Sequence, residues 1–148
     1  MNNLKSNVIC CSTLILLAIS IDSSAQKITK KQLPAAVRAK FSQLSPGVST
    51  EKWGKEGGNY EAEYMVGKVE HTTVLSPLGI LVQTEIDIKP GLLPVPVLTA
   101  VKKSYPGEKI SEAAEITNPA GSKSYEAEIK GMDYIYDING TLIKTVKD

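Results

Sequence analysis

From residue 59 to 66 the side chains alternate: Tyr60, Ala62, Tyr64 and Val66 share one side and Glu61, Glu63 and Met65 the other. That period of two belongs to a strand with one buried face. The alternation returns at Tyr125, Ala127 and Ile129 against Glu126, Glu128 and Lys130. Ahead of each such region the period lengthens. Val37, Phe41 and Leu44 stand at i, i+4 and i+7, and Val97, Val101 and Tyr105 at i, i+4 and i+8, which predicts two short helices with one apolar stripe each. Pro34 and Pro94 suit the first helical turn, where a missing amide hydrogen leaves no bond unmade, and Pro96 still lies within it. Pro46-Gly47 and Pro106-Gly107 then end the helices.

The alternation and the turn residues together predict four strands after each helix. They run at about 49–56, 59–66, 68–75 and 80–88, then at about 109–117, 123–130, 132–138 and 141–147. Gly57-Gly58 and Asn139-Gly140 are tight-hairpin dipeptides, and Asn118 to Ser122 reads as a longer loop. If Gly57-Gly58 alone make the turn, Lys55 faces Tyr60, Trp53 faces Ala62 and Lys52 faces Glu63. Trp53 then lies in the core beneath a helix. A three-residue turn would instead flip the indole outward, where it would be a binding anchor.

The two halves also match residue by residue. Leu33-Pro34-Ala35-Ala36-Val37 answers Leu93-Pro94-Val95-Pro96-Val97, and Ser45-Pro46-Gly47 answers Tyr105-Pro106-Gly107, both 60 residues on. Tyr60-Glu61-Ala62-Glu63 recurs identically as Tyr125-Glu126-Ala127-Glu128 at an offset of 65, and Leu78-Gly79-Ile80-Leu81 answers Asn139-Gly140-Thr141-Leu142 at 61. A unit of about 60 residues is a marginal folding unit, because so small a body buries little of its surface. The expectation is therefore an α+β fold: one domain over 26–148, built of two helix-plus-four-strand repeats at about 30–89 and 90–148. They share one antiparallel sheet and pool their apolar faces against both helices. The helices cover one face, and the other is left to solvent or a partner.

Leu33-Pro34-x-x-Val37, a short helix closed by Pro46-Gly47, then Trp53, Gly57-Gly58-Asn59-Tyr60-Glu61-Ala62-Glu63 and a hairpin-rich close resemble the PepSY-like proteins, exported bacterial proteins whose fold is similar to that of the beta-lactamase inhibitors. The resemblance runs from about Leu33 to Val146. It implies the fold and the duplication, and no catalytic residues. It also implies, by analogy with the inhibitors, that an enzyme could dock on the uncovered sheet face. The second half departs from the pattern, having no Trp to match Trp53 and a Pro96 at the helix start.

Composition adds an address. The chain has 17 Lys and Arg against 16 Asp and Glu, a formal charge of +1, which lacks the cationic excess that nucleic-acid binding needs. Residues 1–25 read as a signal peptide: Lys5 near the start, an uncharged run from Val8 to Ile21, and small residues at Ser23 and Ala25 before a cut at Gln26. The run is too short for a comfortable membrane span, so the processed protein is expected to lack an anchor and to be periplasmic or secreted. Cys10 and Cys11 would leave with the leader, and their place early in the run does not suit a lipidated cysteine.

Candidate chemistry is sparse. His71 is the single histidine and falls in a predicted strand, with no partners for a metal site or a triad. Ser49-Thr50-Glu51-Lys52 matches a Ser-x-x-Lys pattern without its companion motifs and is read as chance. Asn139-Gly140-Thr141 is formally a glycosylation acceptor but is read as a turn. Glu61 with Glu63 and Glu126 with Glu128 could serve as acid pairs, yet a solvated strand face is the expectation for them. No metal or cofactor is expected. The reading is thus a non-enzymatic binding module whose open face, with Lys52, Glu61, Glu63, Gln83, Glu85, Glu126 and Glu128, meets an unidentified protein or small ligand. Inhibition or regulation of an extracytoplasmic enzyme is its sharper form. The alternatives are a hydrolase working through those carboxylates, marked by a deep pocket and a Glu of raised pKa, and a structural protein that self-associates through edge strands.

Overall fold

The structure, a computed structural model, describes residues 26–48 and 51–147. The expected leader with its two cysteines and the Ser49-Thr50 pair lie outside those residues. Strand β1 (Gln26–Ile28) comes first, then a 3-10 turn at Lys30–Gln32 and helix α1 (Ala35–Leu44). Strands β2 (Lys52–Glu56), β3 (Asn59–Val66), β4 (Val69–Leu75) and β5 (Leu81–Asp87) follow. A second 3-10 turn at Pro90–Leu92 and helix α2 (Val95–Ser104) lead into β6 (Ala113–Thr117), β7 (Lys123–Glu128), β8 (Met132–Asp137) and β9 (Leu142–Lys147). All nine strands form one antiparallel sheet in chain order, with each strand beside its successor. The fold is α+β, and both helices pack on the same face of the sheet.

The sequence pattern anticipates eight of these strands. Its exception is β1, three residues long and too short for a period to show, which is anchored where Ile28 pairs with Trp53. Strand β6 also begins later than the alternation suggests, because Ser111 and Glu112 reach Glu128 through backbone hydrogen bonds outside the regular strand.

Turn chemistry sets the register. Glu56 pairs with Asn59, so Gly57 and Gly58 are the two turn residues, and both take positive φ, 55° and 85°. Trp53 consequently faces Ala62 and is only 5% exposed, in the core as the two-residue turn requires. Asn139-Gly140 behaves differently. The Gly140 N–H donates to the Asp137 carbonyl and the Asp137 N–H to that of Thr141, so the loop is longer than the expected dipeptide turn. The Asp137 carboxylate holds this loop by accepting from the backbone N–H of Asn139 and Thr141. The same backbone pattern closes the loops at Ser76 to Ile80 and Asn118 to Ser122.

Each helix roofs its own core, so the expected pooling of the two apolar faces does not occur. Leu33, Val37 and Phe41 pack on Trp53, Ala62 and Leu75, whereas Leu93, Val97 and Val101 pack on Ala113, Tyr125, Ala127, Ile129 and Tyr136. Pro34 and Pro94 sit just ahead of the helices, one position earlier than expected. Leu44, expected in the first stripe, is 40% exposed. The stripe instead continues to buried Ser45, the counterpart of Tyr105, and the Ser45 hydroxyl donates to the Tyr64 hydroxyl at 2.9 Å.

The ladders reveal how two unlike cores fill like spaces. Trp53 pairs with Ala62 as Ala113 pairs with Ala127, so Ala113 stands where the missing second Trp would be. The first core carries Phe41, Trp53 and Tyr64 as a packed trio, with ring centroids 5.0 and 5.4 Å apart. Their counterparts are Val101, Ala113 and Ile129. The volume returns from the opposite positions: Ser45, Thr73 and Leu75 correspond to Tyr105, Tyr134 and Tyr136, and the Tyr105 and Tyr134 rings lie 4.6 Å apart. Close packing requires some such compensation once the indole is gone.

The loop after β4 and the loop after β8 each press a glycine onto a helix start. A Cβ at Gly79 would lie 2.6 Å from the Ala36 carbonyl oxygen, and one at Gly140 would lie 2.5 Å from that of Pro96, whereas one at Gly121 would meet nothing within 4 Å. All three glycines have φ between 73° and 82°. Gly121→Ala should therefore cost about 1–2 kcal/mol of stability from backbone conformation alone. Gly79→Ala and Gly140→Ala should each cost a further ~1–3 kcal/mol for the overpacked contact. Urea unfolding of the three variants checks the order.

Candidate functional site

On the face away from the helices, the ladders bring the polar half of each strand into rows. Lys52, Glu63, Thr72, Glu85, Ile116 and Ser124 follow one another from β2 to β7. A second row runs Gly54, Glu61, Val74 and Gln83, and a third runs Asp87, Ala114, Glu126, Ile135 and Lys144. Glu61 thus lies between Gly54 and Val74, and Glu126 between Ala114 and Ile135. Each carboxylate has neighbours too short or too apolar to solvate it.

The sheet is curled around this face. Lys144 on β9 acts electrostatically on Glu61 on β3, six strands away in the ladder. Six steps in a flat sheet would span ~29 Å, at ~4.8 Å per strand, well past the ~8–10 Å screening length of physiological salt. Curvature brings the two groups within range and turns the face into a trough of about 420 Å³, reached by residues from β2 through β9. Its floor holds Val74, Ile116 and Ile135. Eight of its lining residues are Asp or Glu and two are Lys, so a chain of nearly neutral total charge concentrates negative charge here.

Burial pushes the Glu61 carboxyl up to about 7, and repulsion from Glu56, Glu85 and Glu63 adds to it, while Lys144 opposes. Glu126 is pushed up to about 8, again chiefly by burial, with Asp133, Glu85 and Asp87 adding and Lys144 opposing. Glu85 is raised by burial even though Gln83 donates to it at 2.6 Å. All three carboxyls are half-buried, and those of Glu61 and Glu126 are partly protonated near neutrality. For Glu61 and Glu126 the expectation of a solvated strand face is therefore corrected: alternation along a strand identifies a side, while the desolvation comes from curvature across strands.

Of the seven residues singled out from the sequence, Glu61, Glu63, Gln83, Glu85 and Glu126 line the trough. Lys52 and Glu128 share the face beyond its lining, Lys52 with its ammonium 3.7 Å from Glu63. The trough also recruits Glu56, Glu70, Asp133 and Lys144, which the sequence reading passed over. Glu56 and Glu70 continue the alternation already visible beside them. Lys144 lies past the bulge at Ile135 and Tyr136, which breaks the period that would have placed it. His71 belongs to the opposite side, stacked 5.8 Å from the Tyr64 ring. Among the described residues, no group of three or more His, Cys, Asp or Glu converges as a metal site.

The raised carboxyls make a signed prediction for stability. A folded-state pKa above the unfolded value means that the folded chain keeps a proton that the unfolded chain has lost. Unfolding free energy therefore falls as pH rises from about 4.5 to about 7 for Glu61, and to about 8 for Glu126. Glu126→Gln removes the ionisation, so it should raise Tm at pH 8.5 by about 2–6 °C, an effect of ~1–2 kcal/mol, and leave Tm unchanged at pH 4. Calorimetry at the two pH values checks this.

No family model matches the chain, and no curated protein does. Solved structures share its fold. A candidate periplasmic protein from Bacteroides eggerthii aligns with a TM-score of 0.65 at 14% identity, over 78% of this chain and 88% of that one. A DUF2874 family protein from Bacteroides ovatus aligns at 0.63 and 18% identity, over 78% and 87%. A BLIP-like (beta-lactamase-inhibitor-like) protein from Bacteroides fragilis aligns at 0.58 and 21% identity, over 77% and 86%. At these identities the likeness establishes the architecture: this chain has a BLIP-like fold.

Proposed function

We propose that the protein is an exported, non-catalytic binding module that receives part of a protein partner in the trough on its uncovered sheet face. One observation carries the reading: both helices pack on one side, and the curled sheet leaves the other as a concavity with half-buried carboxylates. The fold it shares with a BLIP-like protein and a candidate periplasmic one supports inhibition or regulation of an extracytoplasmic enzyme, and a periplasmic or secreted location. Among the described residues, no helix is long and apolar enough to cross a membrane. Glu61, Glu63, Gln83, Glu85 and Glu126 form the contact surface, with Lys52 and Glu128 on its margin.

The near-neutral titration of Glu61 and Glu126 favours a second reading, a hydrolase in which one carboxyl donates a proton and the other accepts one. The two readings separate by experiment. Immobilised protein is used to capture partners from periplasmic extract, with Glu61→Lys/Glu126→Lys and, as a control away from the trough, Glu108→Lys/Glu115→Lys. Capture lost in the first variant and kept in the second, at equal thermal stability, is the expected result. Equal capture by both contradicts trough docking. Hydrolytic turnover abolished by Glu126→Gln in folded protein would replace the binding module with the enzyme.

A further inference from the structure

We infer that the segment received by the trough bears Lys or Arg side chains, whose cationic heads meet Glu61 and Glu126 and whose aliphatic stems lie on the Val74, Ile116 and Ile135 floor. The inference rests on the docking reading above and adds the chemistry of the occupant. Among the described residues, neither Glu61 nor Glu126 has a hydrogen-bond or salt-bridge partner, although each is half-buried on a concave surface. Carboxylates withdrawn from water in this way are ordinarily matched by a positive charge.

The molecule carries a miniature of that match. Lys144, reaching the trough from β9, eases Glu61, Glu85 and Glu126 alike, and the acids of the trough outnumber its bases. Around Glu61 the charged groups are Glu56, Glu63 and Glu85 with Lys144; around Glu126 they are Asp133, Glu85 and Asp87 with Lys144. An apolar floor under a charged rim suits a side chain with a long hydrocarbon stem and a cationic tip, because both parts are satisfied together. An inorganic cation would leave the floor uncovered. A protein segment can present several cationic side chains along a rim whose acids extend from β2 to β8, so it is the occupant of choice over a small amine.

A cation in the trough favours the ionised carboxyls, so binding expels protons that Glu61 and Glu126 hold near neutrality. Affinity should then climb with pH up to about 8.5 and level off beyond it.

The test titrates the full processed chain with fluorescein-labelled hexalysine, using spermine and hexaglutamate as comparison probes at fixed ionic strength. Hexalysine is expected to bind at least about tenfold more tightly at pH 8.5 than at pH 6, the factor that ionising Glu61 alone would give, and at least about fivefold more tightly than spermine, as multivalent contact predicts. Glu61→Gln/Glu126→Gln should weaken it about tenfold at pH 8.5 and flatten the pH profile, whereas Glu108→Gln/Glu115→Gln, with the same change in net charge, should do neither. Hexalysine binding that is absent, independent of pH, or equally sensitive to both double variants overturns the inference. Spermine binding as tight as hexalysine overturns the protein segment in favour of a small polyamine. If hexalysine fails while Glu61→Lys/Glu126→Lys still abolishes partner capture, the docking face stands and its cationic occupant does not.

Discussion

Desolvation of acidic side chains by sheet curvature is the constraint on which this molecule's chemistry depends. Two helices on one face leave nine strands free to bend toward the other. The bend brings Lys144 on β9 within electrostatic reach of Glu61 on β3 and partly encloses carboxylates that a flat sheet would have left in water. Their neighbours across the strands, Gly54 and Val74 for Glu61 and Ala114 and Ile135 for Glu126, supply no compensating polarity. The cost is retained in the folded state as protonation near neutral pH, a form in which it is available to a cationic partner.

The helix side meets a different constraint with the same architecture. Matching positions in the two halves must fill similar volumes beneath α1 and α2. The aromatic rings of Phe41, Trp53 and Tyr64 in one half are exchanged for those of Tyr105, Tyr134 and Tyr136 at other positions in the second. The absence of a second tryptophan, which looks from the sequence like a lapse in the pattern, is a relocation of bulk. Gly79 and Gly140 show the reverse case. There the geometry of loop against helix start is held in both halves, because each glycine is pressed against a backbone carbonyl.

Local pattern was a sound guide wherever local physics decides. Gly57-Gly58 specified a two-residue turn, and that turn alone put Trp53 in the core and Glu61 and Glu63 on the far face. It was a poor guide to anything set by strands distant in sequence. Strand β1 is too brief to show a period, Lys144 follows a bulge that interrupts one, and Leu44 lies one position off the stripe that Ser45 completes. The burial of Glu126 arises from how far the sheet bends, which no alternation of residues records. Five of the seven residues chosen from the sequence line the trough for this reason: their side was legible and their desolvation was not.

The account is tested most directly by observing the carboxyls themselves. Carbon-13 NMR titration of the glutamate side-chain carboxyls, with Glu61→Gln and Glu126→Gln used for assignment, should show Glu61 titrating near pH 7 and Glu126 near pH 8 in the folded protein. Titration of both at about 4.5, together with the exposed glutamates, would mean that water reaches the floor of the trough and that curvature does not create the site.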